Sequence, residues 1–125
     1  YNELAPAQAP DLRVNGELTL GENNGDIGGL AIAYEAWRAS GIEHSDGADD
    51  EGHTGSQRLF LSWARAWRKK IRPEALRERN ATDPHSPDEF RCNQVVKNID
   101  AFHEAFGTKP GDGLWMEPED RVRIW

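Results

Sequence analysis

The chain has 125 residues, one ordinary domain's length, with 37% hydrophobic residues and a mean hydropathy of −0.81. Its net charge of −7 argues against a nucleic-acid or anionic-membrane binder, since both need basic surface, and no run approaches the ~20 apolar residues of a membrane span. Five Trp supply large groups for a thin folded core, while Cys92, standing alone, rules out an internal disulfide. The opening residues show no signal-peptide pattern, and a start at Tyr1 in place of Met is expected of a fragment or processed piece.

Residues 1–17, rich in Pro, Ala and Asn, read as loop, with a turn at Asn15-Gly16. A first helix is predicted from about Leu20 to Ala39, where Ile27, Leu30, Tyr34 and Trp37 recur at three- and four-residue steps and form one buried stripe. Gly41 is its stop. The acidic, Gly-rich stretch "GIEHSDGADDEGHTG" (41–55) reads as a solvated loop; His44 and His53 flank its acids, but Gly47 and Glu51 do not fit a calcium-loop spacing. Thr54 and Gln57 make a capping pair for a second helix, with Phe60, Trp63, Trp67 and Ile71 on one face and Arg65, Arg68, Lys69 and Lys70 on a solvated basic side. Arg72-Pro73 ends it and starts a third, shorter helix to about Arg79. Residues 81–93 read as irregular with one helical turn at 87–90, "CNQVV" as briefly extended, and 99–106 as a short helix closed by Gly107. Phe102, Phe106 and Trp115 are expected to pin the terminal elements to the core before the chain ends on Trp125. There are no repeats, and the 41–55 segment is too short to separate two domains. The fold class is mainly α.

One stretch resists a purely structural reading. In "TLGENNGDIGGL" (19–30), Gly25, Gly28 and Gly29 lie inside a helical run, although each costs about 1 kcal/mol relative to Ala. Glu22 and Asp26, at i and i+4, project from one face beside them. Two readings stand open. Thr19-x-x-Glu22 fits a capping box, which ties Glu22 to the Thr19 amide. That leaves the glycines unexplained. A helix bare on one side lets another backbone approach closely, and an acid at such a crossing can bind a metal jointly with a neighbouring helix. Zinc takes carboxylate oxygen alongside two imidazoles, and a second acid one turn on can hold a ligating His by its free ring N–H.

The segment "VNGELTLGENNGDIGGLAIAYEAW" resembles the Glu-Asn-x-x-Asp region of the neprilysin and endothelin-converting-enzyme family of zinc metallopeptidases. The resemblance continues through "QRLFLSWARAWRKKIRPEALRERNATDPHSPDEFRCNQVVKNIDAFHEAFGTKPGD" to "RVRIW", in the family's order, from about Val14 to Trp125. It implies that residues 1–125 are the helical C-terminal subdomain of a thermolysin-like peptidase catalytic region. It further implies that Glu22 is the third zinc ligand and that Asp26 orients a zinc-bound His. His85 in "DPHSP" would steady the oxyanion on the scissile carbonyl, Asp83 would position His85, and Arg91 in "EFR" would bind a substrate backbone carbonyl. Elementary chemistry suits each role: an imidazole can donate to an oxyanion, a nearby Asp fixes its tautomer, and Arg is a rigid multiple donor.

Two departures from the family pattern bound the expectation. The upstream His-Glu-x-x-His helix, with two ligands and the general base, is missing: the four His are His44, His53, His85 and His103, and "HEAFG" (103–107) has Gly107 where the second His belongs. Asn24-Gly25 also replaces the family's usual Ile-Ala, which loosens the helix around Glu22. The missing Cys near the C-terminus points towards a bacterial member. The expected function is therefore a share of a zinc endopeptidase, in which zinc-bound water attacks a peptide carbonyl, with this chain inactive alone and binding zinc weakly or not at all. The alternative is a non-catalytic peptidase-like module that binds peptides or partner proteins without metal. The resemblance implies peptide substrates, the remainder of the catalytic region as partner and an extracytoplasmic parent. The three glycines are expected to face an absent partner helix, with self-association through that exposed surface as a further expectation.

Overall fold

The computed structural model describes residues 1–41, 47–49 and 51–124. Much of the 41–55 loop, including His44, and the terminal Trp125 lie outside them. Among the described residues there are five α-helices and no strand: α1 (Gly16–Ala39), α2 (Gly55–Trp67), α3 (Pro73–Thr82), α4 (Asp88–Val96) and α5 (Asp100–Phe106), with a 3-10 turn at Pro118–Asp120. The mainly-α expectation holds.

Three boundaries differ from the expected ones, each for a local reason. α1 starts a full turn earlier, because Asn15 is its N-cap: the Asn15 side chain accepts from the Leu18 N–H at 3.1 Å. The Gly16 N–H is in turn taken by Asn2 Oδ1 at 2.7 Å, an approach that a Cβ at Gly16 would block. α2 stops at Trp67, short of Ile71, and Lys69 reaches out to Asp88 at 3.0 Å. "CNQVV" is helical, not extended. Asp88 and Glu89 favour a helix start after Pro87, and Phe90, Val95 and Val96 are buried, so packing overrides the β preference of the paired valines.

The other caps form as read. Thr54 and Gln57 close a full capping box on α2. Gly107 takes φ 61°, the left-handed cap that ends α5.

α4 forms the centre, with α1 and α2 packed on it and α5 beside α2. The core joins Ile27 and Leu30 of α1, Phe60 of α2, Val95 and Val96 of α4, and Ile99 and Phe102. Phe60 is the hinge of this cluster, stacked on Tyr34 and edge-on to Phe102. The N-terminal segment wraps α3 and α4 without regular structure, held by a two-pronged Arg77–Asp11 pair, by Asn80 donating to the Arg13 carbonyl, and by Glu89 accepting from the Ala7 N–H. The tail is clasped by Arg121, which pairs with Asp100 at 2.7 Å and lies over the Trp115 ring.

Phe60→Ala is expected to destabilise the fold by about 3–5 kcal/mol and Thr54→Ala by about 1 kcal/mol, read as shifts in the denaturant midpoint. Equal shifts would contradict the core assignment.

Candidate active site

α1 carries Glu22 and Asp26; α4 carries Arg91; the segment between α3 and α4 carries Asp83 and His85. The fold brings all five together as two pairs, Asp83–His85 and Asp26–Arg91, with Glu22 facing the first.

The first pair is centred on His85. Asp83 Oδ1 accepts from the His85 backbone N–H at 2.9 Å and lies 2.6 Å from His85 Nδ1. Arg79, one turn back on α3, adds a contact of 3.3 Å to the other Asp83 oxygen. The His85 N–H first, then the ring bond and the Arg79 guanidinium, hold the Asp83 carboxyl down at about 2. A carboxylate so held only accepts, so Nδ1 bears a proton; Nε2 is turned outwards and, when it too is protonated, can donate to a second oxygen. Nε2 stands 3.1 Å from Glu22 Oε2.

The capping-box reading of Glu22 is overturned here. Thr19 lies inside α1, where its N–H bonds to the Asn15 carbonyl, and Glu22 directs its carboxylate to His85. That side chain is 47% exposed.

The second pair is Asp26–Arg91. Arg91 donates from Nε and Nη2 to the two Asp26 oxygens, both at 2.7 Å. Their side chains are 15% and 11% exposed. The Arg91 guanidinium also lies 4.0 Å over the Trp67 ring. Bonding to Asp26 pushes the Arg91 guanidinium up from its ordinary value. Tyr1 closes the site from the N-terminal side. Its hydroxyl is buried without a hydrogen-bond partner, and burial, reinforced by the Asp26 charge, pushes the phenol up to about 12. A guanidinium has five N–H donors; two face Asp26, so three remain for another acceptor.

Sequence reasoning missed several of these groups. Trp67 was assigned to the core stripe alone, and Arg79 to no role, although its i,i+4 spacing to Asp83 was readable. Asn23 and Ser86 carried no signal by themselves. The glycine expectation is partly corrected. Gly25 and Gly29, with Gly21, are exposed, and a Cβ on any of the three would meet nothing within 4 Å. Gly28 is buried within this chain.

Among the described residues, no three of His, Cys, Asp and Glu converge to hold a metal ion. A cleft of about 70 Å³ beside His85, lined by Leu76, Asn80 and Ser86, is too small for a peptide. The site is one wall, open on the Glu22 side.

The sequence pattern of peptidase family M13 matches residues 1–122, and the chain belongs to that family. It is 40% identical over 116 residues to human endothelin-converting enzyme 1, across 90% of this chain and 14% of that protein. To the neutral endopeptidase of Lactobacillus helveticus it is 38% identical over 113 residues, across 90% of this chain and 16% of that protein. Among solved structures, the Mycobacterium tuberculosis zinc metalloprotease Zmp1 in complex with an inhibitor matches with a TM-score of 0.89 and 45% identity, over 100% of this chain and 20% of that one. The chain therefore spans 16% or less of the length of these two curated relatives.

Asp83 is expected to titrate at about 2. Because its folded value is depressed, the Asp83–His85 link is complete above the ordinary carboxylate range near pH ~4 and is lost as pH falls through 2. Carboxyl 13C NMR reads this directly, and an ordinary midpoint would contradict the arrangement.

Proposed function

We propose that the chain is the C-terminal part of the catalytic region of a zinc metalloendopeptidase, supplying one metal ligand and the groups that act on the scissile peptide. The observation that carries this reading is the Glu22–His85–Asp83 arrangement: a half-exposed carboxylate free of its own backbone, faced by an imidazole whose other nitrogen is fixed. Family membership and the metalloprotease named among its structural relatives support it.

Glu22 suits one oxygen ligand of zinc, and the remaining ligands would come from elsewhere in the longer polypeptide. Zinc, when bound, supplies a Lewis acid that activates water and polarises a carbonyl. The other roles belong to this chain's own residues. His85, with its Nδ1–H committed to Asp83, would in the imidazolium form donate from Nε2–H to charge developing on the carbonyl oxygen. Asp83 positions that ring. Arg91, braced by Asp26 and Trp67, offers its remaining N–H groups to a backbone carbonyl of the peptide. Asp26, one turn from Glu22 and bonded to Arg91, would in addition accept from a ligating His supplied by the longer polypeptide.

The base that takes the water proton is assigned outside this chain, so the isolated chain is expected to cleave no peptide. The exposed line of Gly21, Gly25 and Gly29 is where we place the remainder of the catalytic region. The parent is proposed to act outside the cytoplasm; no helix among the described residues is long and apolar enough to cross a membrane.

In the full-length parent, Glu22→Val is expected to abolish zinc retention, measured by metal analysis after dialysis. Asp83→Ala is expected to keep the metal and lower kcat about 10- to 1,000-fold. Full zinc occupancy in the Glu22 variant would refute the ligand assignment.

A further inference from the structure

Two polar links cross from α1 to the 83–87 segment among the described residues. One is the Glu22–His85 contact, whose side chains are 47% and 37% exposed. The other lies directly beneath it. Ser86 Oγ donates to Asn23 Oδ1 at 2.7 Å, Asn23 Nδ2 donates to Thr19 Oγ1 at 3.0 Å, and Thr19 Oγ1 donates to the Asn15 carbonyl at 3.0 Å. Ser86, Asn23 and Thr19 are 3%, 4% and 3% exposed. Each is thus shielded from competing water, and each has its donor satisfied. Ser86 is the chain neighbour of His85, and Asn23 is the chain neighbour of Glu22.

We propose that Ser86, through Asn23 and Thr19, is a positioning residue that fixes the height of His85 above Glu22. This rests on the peptidase reading of the site. An exposed charged contact is weak and open to water. It is also the contact that weakens when Glu22 turns its oxygens to a cation. Something else must then keep the His85 loop on α1. The buried bond from Ser86 does so without using either reacting side chain, because it joins the residue after His85 to the residue after Glu22. Pro84 and Pro87, which flank His85 and Ser86, have no N–H to donate in its place, and the Pro87 carbonyl is already taken by the Phe90 and Arg91 N–H groups. Loss of the Ser86 hydroxyl leaves Asn23 Oδ1 buried without that donor and frees the loop to shift. A displacement of about 1 Å at a positioning group can cost about 100-fold in rate.

The test uses the full-length parent with Ser86→Ala and the hydroxyl-retaining Ser86→Thr. In Ser86→Ala, kcat per bound zinc is expected to fall about 10- to 100-fold, with KM and zinc content within about twofold of wild type, since Ser86 touches neither metal nor peptide; Ser86→Thr is expected to recover most of kcat. A second readout needs no activity: in the metal-free protein, carbethoxylation of His85 by diethyl pyrocarbonate, followed by mass spectrometry, is expected to run several-fold faster in Ser86→Ala than in wild type or Ser86→Thr. Unchanged kcat and labelling in Ser86→Ala would overturn the proposal. So would a loss of activity that tracks zinc content or folded fraction, or one that Ser86→Thr fails to recover. Should Ser86→Ala not fold, Thr19→Val, which keeps the side chain's shape but removes the hydroxyl that accepts from Asn23, is expected to speed labelling of His85 as well, and wild-type labelling there would count against the tether. If Glu22→Val retains its zinc, the peptidase reading falls, and the labelling experiment still decides the tether.

Discussion

The Asp26–Arg91 pair is the constraint on which the site depends. It joins α1, which bears Glu22, to α4, which follows the His85 loop. Both ends are largely buried, so removing one partner would strand the other charge, typically at a cost of about 3–5 kcal/mol. The fork geometry uses both carboxylate oxygens and so fixes rotation as well as distance. Trp67 brings α2 into the same lock through the face of its ring. Three helices are thereby registered at a single guanidinium.

This constraint explains why a polar chain with a thin core can hold a site at all. The apolar cluster around Phe60 and Val95 brings the helices together, but hydrophobic contact is non-directional. Directed bonds set the angles: the Arg91 fork at one side of the site and the Ser86–Asn23–Thr19 relay at the other. The N-terminal segment adds a third wall, with Tyr1 pressed towards the fork and Arg77 holding Asp11.

Much of the frame was legible in the chain. The apolar stripe of α1, the Thr54–Gln57 box and the Gly107 stop depend on neighbours within a few residues, and local physics decides them. The start of α1 was misread because Asn15-Gly16 serves equally as a turn and as a cap, and the distant Asn2 tips the choice. "CNQVV" was misread because its valines prefer strands when alone, whereas here they fill the centre of a helical core. In the site, Glu22, Asp26, Asp83, His85 and Arg91 were named only through the family resemblance; spacing alone left Glu22 between a cap and a ligand. That Asp26 and Arg91 bond to each other could not be read at all, since they lie 65 positions apart. The same distance rule hid Asn23 and Ser86.

The residues differ sharply in how firmly they are held, and the difference follows their proposed work. Groups that must meet developing charge should be fixed beforehand, so that no reorganisation is left for the reaction itself. His85 is fixed through Nδ1, through the Asp83 bond to its own N–H, and through its neighbour Ser86. Arg91 is fixed by two oxygens and a ring. Glu22 alone is left with one exposed contact and no tie to its own backbone. On the proposed reading Glu22 would be a ligand for an ion whose other contacts come from a different stretch of polypeptide, and such a ligand needs that freedom. Exposed glycines at Gly21 and Gly25, on either side of Glu22 in the chain, leave that face of α1 open. The stiff part of the site is thus the part bonded on several sides within the chain, and the loose part is the carboxylate proposed to meet an ion.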